Sequence, residues 1–271
     1  MKPIIVELKD VRLIYHDPQA EMLAIDTLNL TVREGEFVAV VGPSGSGKTS
    51  MLSLLCGLIT PTSGTIRLNG REIMVPGEGI GYMLQRDHLL DWRDVEGNVL
   101  LGLEVKHMLN QKTRSRAMEL LNRYGLHDFR KNYPRQLSGG MRQKVALIRT
   151  LAFDPDLLLL DEPFSSLDYQ SRLRVSDEMH EIIKDEHKTA ILVTHDIAEA
   201  ISMADRVIVF TERPASVKRE LTIKLSAPPS PILRRQAPEF RGYFDLIWKE
   251  LDNGEQQTRI QLRTSVLSEA N

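Results

Sequence analysis

Along residues 4–32, Ile, Val and Leu recur at alternate positions between charged and polar neighbours, and Asp17-Pro18 breaks the run. A period of two with a turn signal in the middle predicts two strands, over 4–15 and 23–32, that fold back on each other. Further on, the apolar stretches change character. Residues 36–41 (EFVAVV), 79–84, 157–160 (LLLL) and 190–194 read as short apolar strands, and the four leucines suit a strand buried on both faces. Helical periodicity follows over 48–55, across much of 87–133, over 138–153 and over 171–184, with Thr113 read as the cap of a helix that turns Ala117, Leu120, Leu121 and Tyr124 to one side. Ser63-Gly64 and Asn69-Gly70 bracket a short strand, and 207–210 with 217–225 read as a closing hairpin around Arg213-Pro214. Ala227-Pro228-Pro229-Ser230-Pro231 then halts regular structure before a helix over 238–251, with Phe240, Phe244, Ile247, Trp248 and Leu251 on one side, and a polar tail from Asn253. The pattern predicts an α/β fold with an antiparallel layer in front of an open sheet.

Composition narrows the class. The 271 residues suffice for a full core, and 42% of them are hydrophobic, an ordinary share for a globular domain. With 35 basic and 37 acidic residues the net charge is -2, which leaves no broad electropositive surface of the kind nucleic-acid binders use. Glu7 and Asp10 stand where a secretory signal carries its apolar region, and no apolar run reaches the length of a membrane span. A soluble, cytosolic chain that can sit on a membrane partner is expected. The one cysteine, Cys56, precludes an internal disulfide and reads as a small buried apolar residue.

The candidate chemistry gathers at the ends of the apolar strands. After residues 36–41 come Gly42, Pro43, Ser44, Gly45, Ser46, Gly47, Lys48, Thr49 and Ser50, fitting G-x-x-x-x-G-K-[ST]. Glycines let successive N–H groups curl round phosphate oxygens, the helix that follows presents its positive end, Lys48 adds a point charge and the Thr49 hydroxyl suits Mg²⁺. LLLL ends in Asp161 and Glu162; buried strands seldom stop at paired acids unless a cation or a reaction uses them. Asp161 is the candidate for the metal's water shell and Glu162 for orienting an attacking water. Ser138, followed by Gly139 and Gly140, makes a second helix start fit for an anion, although on physics alone a plain capped helix is the commoner explanation. Tyr15, at a strand end, offers a ring face for stacking or half-buries in the core; Gln85 and His195, also at strand ends, are open between a crevice role and none. Leu89, Leu90 and Trp92 read either as core or as a docking surface.

In this order the phosphate loop, the strand-end Gln85, LSGGMRQ at 137–143, LLLLDEP at 157–163, SSLD at 165–168 and VTHD at 193–196 resemble the nucleotide-binding subunits of ATP-binding-cassette (ABC) transporters. The resemblance implies a P-loop NTPase cassette: a RecA-like parallel sheet core, an N-terminal antiparallel β layer and a helical subdomain at about 87–153. It implies a 1–226 ATPase domain and a 227–271 extension. Carried onto these residues, it implies Tyr15 stacking on adenine, residues 42–50 cradling the phosphates of ATP, and Thr49, Gln85 and Asp161 around Mg²⁺. Glu162 becomes the catalytic base, His195 the γ-phosphate contact, and Lys48 and Gln85 accessory catalytic groups. Ser138, Gly139, Gly140 and Gln143 become a signature that touches a second copy's nucleotide, with Asp168 a cross-dimer contact. The implied partners are that second copy, arranged head to tail, an integral membrane permease and, indirectly, an extracytoplasmic solute-binding protein, but no nucleic acid; the implied place is the cytoplasmic face of the cell membrane. Residues 76–103, 196–210 and RRQAPEFRGYFDLIWKEL at 234–251 resemble the importer branch for nitrate, aliphatic sulfonates and taurine, which also handles thiamine precursors or riboflavin in some relatives. Asp91, Asp94 and Ser165-Ser166 depart from its usual proline, threonine and serine-alanine. An exporter cassette, or a soluble ABC ATPase acting on DNA or ribosomes, shares this chemistry, but the coiled-coil insertion or paired cassettes of the latter are not seen.

Overall fold

The computed structural model describes residues 2–17, 20–73 and 79–252. The alternating start forms β1 (Ile4–Asp17) and β2 (Ala20–Arg33), an antiparallel pair. With β4 (Ser63–Leu68) and β5 (Arg71–Glu72) they make a four-stranded antiparallel sheet in the order β2-β1-β4-β5. The apolar strands β3 (Phe37–Val41), β6 (Ile80–Met83), β7 (Leu157–Asp161), β8 (Thr189–Val193) and β9 (Arg206–Phe210) run parallel. Together with the antiparallel edge strand β10 (Val217–Thr222) they form a second sheet, ordered β10-β9-β3-β8-β7-β6.

Alternation along these central strands divides the interior in two. Phe37, Ala39 and Val41 of β3, Leu158 and Leu160 of β7, and Ala190 and Leu192 of β8 face a helix-covered core. Val38, Val40, Leu157, Leu159, Ile191 and Val193 face the antiparallel sheet and α1 (Lys48–Leu55). Because side chains on a strand point to opposite faces in turn, an unbroken apolar run is what a sheet packed on both sides requires. Each such fully buried aliphatic side chain contributes roughly 1.5–3 kcal/mol.

The helix-covered face carries α2 (Val95–Val105), α3 (Gln111–Arg123), α4 (Gly139–Leu151), α5 (Tyr169–Asp185) and α6 (Ile197–Met203). The cap of α3 is Asn110 and not Thr113: Asn110 Oδ1 accepts from the Thr113 N–H at 3.1 Å, and Thr113 Oγ1 accepts from the Asn110 N–H at 2.9 Å. The two polar residues form a reciprocal capping box, so the helix starts earlier than a single-residue cap at Thr113 suggests. Asp94, a departure from the importer pattern, caps α2 by accepting from the Gly97 N–H at 2.7 Å. Leu89 belongs to the core, whereas Trp92 is 75% exposed.

Past β10, a four-residue helix, α7 (Pro231–Arg234), starts inside the proline-rich break. Residues 240–252 form a further helix that buries Ile247 and rests Phe240, Tyr243, Phe244 and Leu251 on the helix-covered core. Trp248 was expected on that side but stands exposed, stacked on Phe244 with centroids 6.3 Å apart; Tyr243, one turn and a residue earlier, takes the inward place. The expected turn at Pro18 and the polar tail from Asn253 lie outside the described residues, as do residues 76–78. Among the described residues, no helix is long and apolar enough to cross a membrane.

Candidate functional site

The carboxyl ends of β3, β8 and β7 open on one crevice, the place where open α/β sheets hold ligands. From β3 the chain enters the phosphate loop. Gly47, the residue before α1, has φ 89°, and a Cβ there would lie 3.0 Å from Ala215 Cβ and 3.1 Å from the Ala24 carbonyl oxygen; both the left-handed backbone and the space demand glycine. No side chain caps α1, so its first-turn N–H groups are left for an anion. Lys48 Nζ donates to the carbonyls of Gly42 and Pro43 at 2.8 Å each and to Ser46 Oγ at 3.3 Å. Burial pulls its pKa below the ordinary lysine range, against the raising charges of Glu162 and Asp161. A cleft of about 690 Å³ results, lined by Ser44–Ser50 together with Met22, Ala24, Glu162, His195 and Arg213.

The acids meet this cleft from β7. Asp161 closes the strand, 8% exposed, and accepts from the Tyr82 hydroxyl at 3.2 Å. Burial raises its pKa, and the neighbouring Glu162 raises it further, while Tyr82 and Lys48 lower it. Burial likewise pushes the Tyr82 phenol upward. Glu162 adopts φ 45°, a left-handed conformation that costs a non-glycine residue roughly 1–2 kcal/mol, and its N–H is held by the Val193 carbonyl at 2.8 Å. That kink swings the side chain off the strand direction. Glu162 Oε2 stands 3.1 Å from His195 Nδ1 and accepts from Gln85 Nε2 at 3.4 Å, so residues from three strand ends converge on one carboxylate oxygen.

The oxygen donors suit Mg²⁺, a hard cation that keeps most of its waters and takes few protein ligands. Asp161 is a buried carboxylate whose charge is disfavoured where it stands, an arrangement that a nearby cation relieves. Thr49, which lines the cleft, would be the second protein oxygen, with Gln85 reaching the same region through Glu162.

A second anion-ready surface lies at the start of α4. Ser138 Oγ accepts from the Met141 N–H at 3.3 Å and caps the helix. A Cβ on Gly140 would come within 2.6 Å of Val175 Cγ2, so glycine lets α4 lie close on α5. Here a cleft of about 410 Å³ is lined by Ser138, Gly139, Gly140, Leu167, Asp168 and Ser171, among others. It shares no lining residue with the first cleft. Asp168 caps α5, accepting from the Ser171 N–H at 3.0 Å, and these bonds hold its carboxyl below the usual range.

Two expected ligands line neither cleft. Gln143 is 1% exposed; the pitch of α4 turns it inward, and Met141 and Lys144 take the cleft wall instead. Tyr15 is half-buried beside α1, its hydroxyl donating to Ser50 Oγ at 3.1 Å, while the β2 residues Met22 and Ala24 line the cleft. Met22, Ala24, Arg213 and Tyr82 escaped the sequence reading; strand alternation in β6 was the one signal able to place Tyr82.

The class these observations define is the phosphate-loop nucleotide hydrolases, in a form with a second cleft at the start of α4. The ABC transporter family model matches residues 25–165, more than half of the chain. An uncharacterized ABC transporter ATP-binding protein of Bacillus subtilis (YtlC) is 44% identical over 90% of this chain and 95% of its own length. The nitrate import ATP-binding protein of Synechocystis (NrtD) is 38% identical over 89% and 93%, and the aliphatic sulfonates import ATP-binding protein of Bacillus licheniformis (SsuB) is 38% identical over 85% and 88%. Among solved structures, the dimeric post-hydrolysis state of the ATP-binding cassette MJ0796, bound to ADP and Pi, superposes with a TM-score of 0.68 at 32% identity, covering 81% of this chain and 99% of that one. The chain belongs to the ABC transporter family, as an ATPase cassette whose nitrate- and sulfonate-import relatives align along most of its length.

Proposed function

We propose that this chain is the ATP-hydrolysing subunit of an ABC importer for a small solute of the nitrate, aliphatic sulfonate or taurine kind. Two copies pair head to tail at the cytoplasmic face of the membrane, and each ATP is held between residues 42–50 of one copy and Ser138–Gly140 of the other. The observation that carries the pairing is the separation of the two clefts within one chain, each holding what the other lacks.

In this reading the N–H groups of the loop and Lys48 bind the β- and γ-phosphates. Glu162 orients a water in line with the γ-phosphorus and takes its proton as the O–P bond forms and ADP leaves. His195, sharing Oε2 of Glu162, spreads charge on the γ-phosphate, and Asp168 meets the partner. Thr49 and Asp161 would hold Mg²⁺, which would supply positive charge to the phosphates. Tyr15, paired with Met22 across β1 and β2 and bonded to Ser50, is the adenine contact. The segment from Gln85 to Val95, with Trp92 exposed on it, carries closure to a separate permease, which a solute-binding protein loads.

The test is Glu162→Gln. It should lose hydrolysis by about 10²–10⁴-fold, the usual worth of a general base, while still binding ATP and accumulating as a dimer on gel filtration with ATP. Undiminished hydrolysis would remove Glu162 from its role. For the solute, purification with the permease and transport assays in vesicles against nitrate, sulfonates and taurine decide the class; outward movement of solute would overturn import.

A further inference from the structure

Arg172 stands one turn into α5 and touches both of the loops that the two clefts depend on. Towards the second cleft, its N–H donates to the Asp168 carbonyl at 2.8 Å and its Nη2 to the Leu167 carbonyl at 3.3 Å. Across the packing between α5 and α6, its Nη1 donates to Asp196 Oδ2 at 3.4 Å, and its Nε lies 3.7 Å from Glu199 Oε1. That Nε is buried and has no hydrogen-bond partner, so a small approach of α5 to α6 completes a charge-assisted bond that is not yet made.

The two carboxylates in turn hold the chain on either side of His195. Asp196 caps α6, accepting from the N–H groups of Ala198 and Glu199 at 2.8 and 3.0 Å. Glu199 Oε2 accepts from the Thr194 hydroxyl at 2.7 Å, and Thr194 Oγ1 accepts from the Asp196 N–H at 3.0 Å. The residues on both sides of His195 are thus held by this network, while its own ring reaches Glu162. The Glu199 side chain is 4% exposed and that of Arg172 23%, so little solvent screens the pair. Arg235, just past α7, adds positive charge near the same carboxylate, and two of its guanidinium nitrogens are buried without partners.

We infer that Arg172 is a positioning residue for hydrolysis, which couples the loop ending at Asp168, facing the partner copy, to the placement of His195 through Asp196 and Glu199. The inference rests on the reading of His195 as the γ-phosphate contact. It gives the pairing of two cassettes a route to the hydrolysing centre: contact at Asp168 shifts the start of α5, Arg172 moves with it, and the turn carrying His195 follows.

Single-turnover hydrolysis of γ-labelled ATP by the full-length chain tests this, since amplitude reports the fraction of competent protein and the rate constant reports positioning. Arg172→Ala should lower the rate constant by about tenfold, or about 1.4 kcal/mol, with the ATP concentration for half-saturation unchanged within about twofold; Arg172→Lys should recover part of the loss. In a His195→Ala background, Arg172→Ala should change the rate by less than about twofold, because its effect passes through His195. A full rate for Arg172→Ala, an effect confined to amplitude, or the same factor lost in both backgrounds would overturn the inference. If Arg172→Ala does not fold, Glu199→Gln carries the same test with the same outcomes. A full rate for His195→Ala alone would overturn the γ-phosphate reading and the inference together, which sets that failure apart from a failure of Arg172.

Discussion

The two helix starts that face anions, α1 and α4, are built in opposite ways. At α1 the residue before the helix is Gly47, no side chain occupies the cap, and Lys48, Glu162 and His195 crowd the same cleft. At α4, Ser138 fills the cap, and the nearby wall mixes glycines and hydroxyls with Lys144, Asp168, Arg174 and Glu178. One start keeps its N–H groups uncapped beside a buried lysine and two acids; the other has already given an N–H group to the Ser138 side chain. The difference teaches that possession of an anion-ready helix end does not make a reaction centre. The phosphate loop, and the Glu162 carboxylate that meets His195 and Gln85, come with the first alone; in the function proposed above, the second closes over a neighbour's nucleotide.

The comparison breaks most visibly at the chemistry. Lys48→Ala should remove ATP binding and hydrolysis together, by more than about 10²-fold in turnover, measured by equilibrium binding and phosphate release. Ser138→Arg should separate the two: its position is exposed, so the fold tolerates the side chain, nucleotide binding to each copy persists, and turnover falls by about 10²-fold or more as closure is blocked.

A smaller effect sharpens the picture behind the first cleft. Burial, with Asp196 adding to it, raises the Glu199 pKa from 4.5 to about 7, against Thr194, Arg172 and Arg235. The folded protein thus holds a proton there that the unfolded chain releases above 4.5, so this group's contribution to stability falls as pH rises from 4.5 and is fully lost above 7. The shift corresponds to at most about 3 kcal/mol. Glu199→Gln should therefore melt several degrees above the parent at pH 8 and level with it near pH 4.5. His180, buried and lowered to about 4, acts with the opposite sign: it stays uncharged while the unfolded chain takes up a proton below 6.5, so its contribution is lost as pH falls from 6.5 through 4. The two slopes oppose each other in the parent, and Glu199→Gln should leave the acid-side loss steeper. Smallest of all, Ser138→Ala should cost about 1 kcal/mol as a lost cap, read from urea denaturation, whereas α1 has no side-chain cap to lose.

Sequence alone carried the phosphate loop, the doubly buried strands and the acids at 161–162, because each is written in contiguous residues whose types are dictated by local geometry. It misplaced what depends on choosing between equivalent neighbours. Asn110 and Thr113 are both good caps, and only their reciprocal bonds set the helix start; Trp248 and Tyr243 both fit an apolar stripe, and packing chose the smaller ring. It was silent on the left-handed turn at Glu162, since nothing in the residue type announces φ 45°. The link from Arg172 to Asp196 and Glu199 was equally hidden, because it exists only where α5 lies on α6.

Mixing two dead variants tests the division of labour most directly. Lys48→Ala lacks a working first cradle and Ser138→Arg a working second one, but a head-to-tail pair of one of each contains a single centre built from intact halves. ATPase activity of the equimolar mixture should rise well above the sum of the two measured separately; a mixture no faster than that sum would contradict the account.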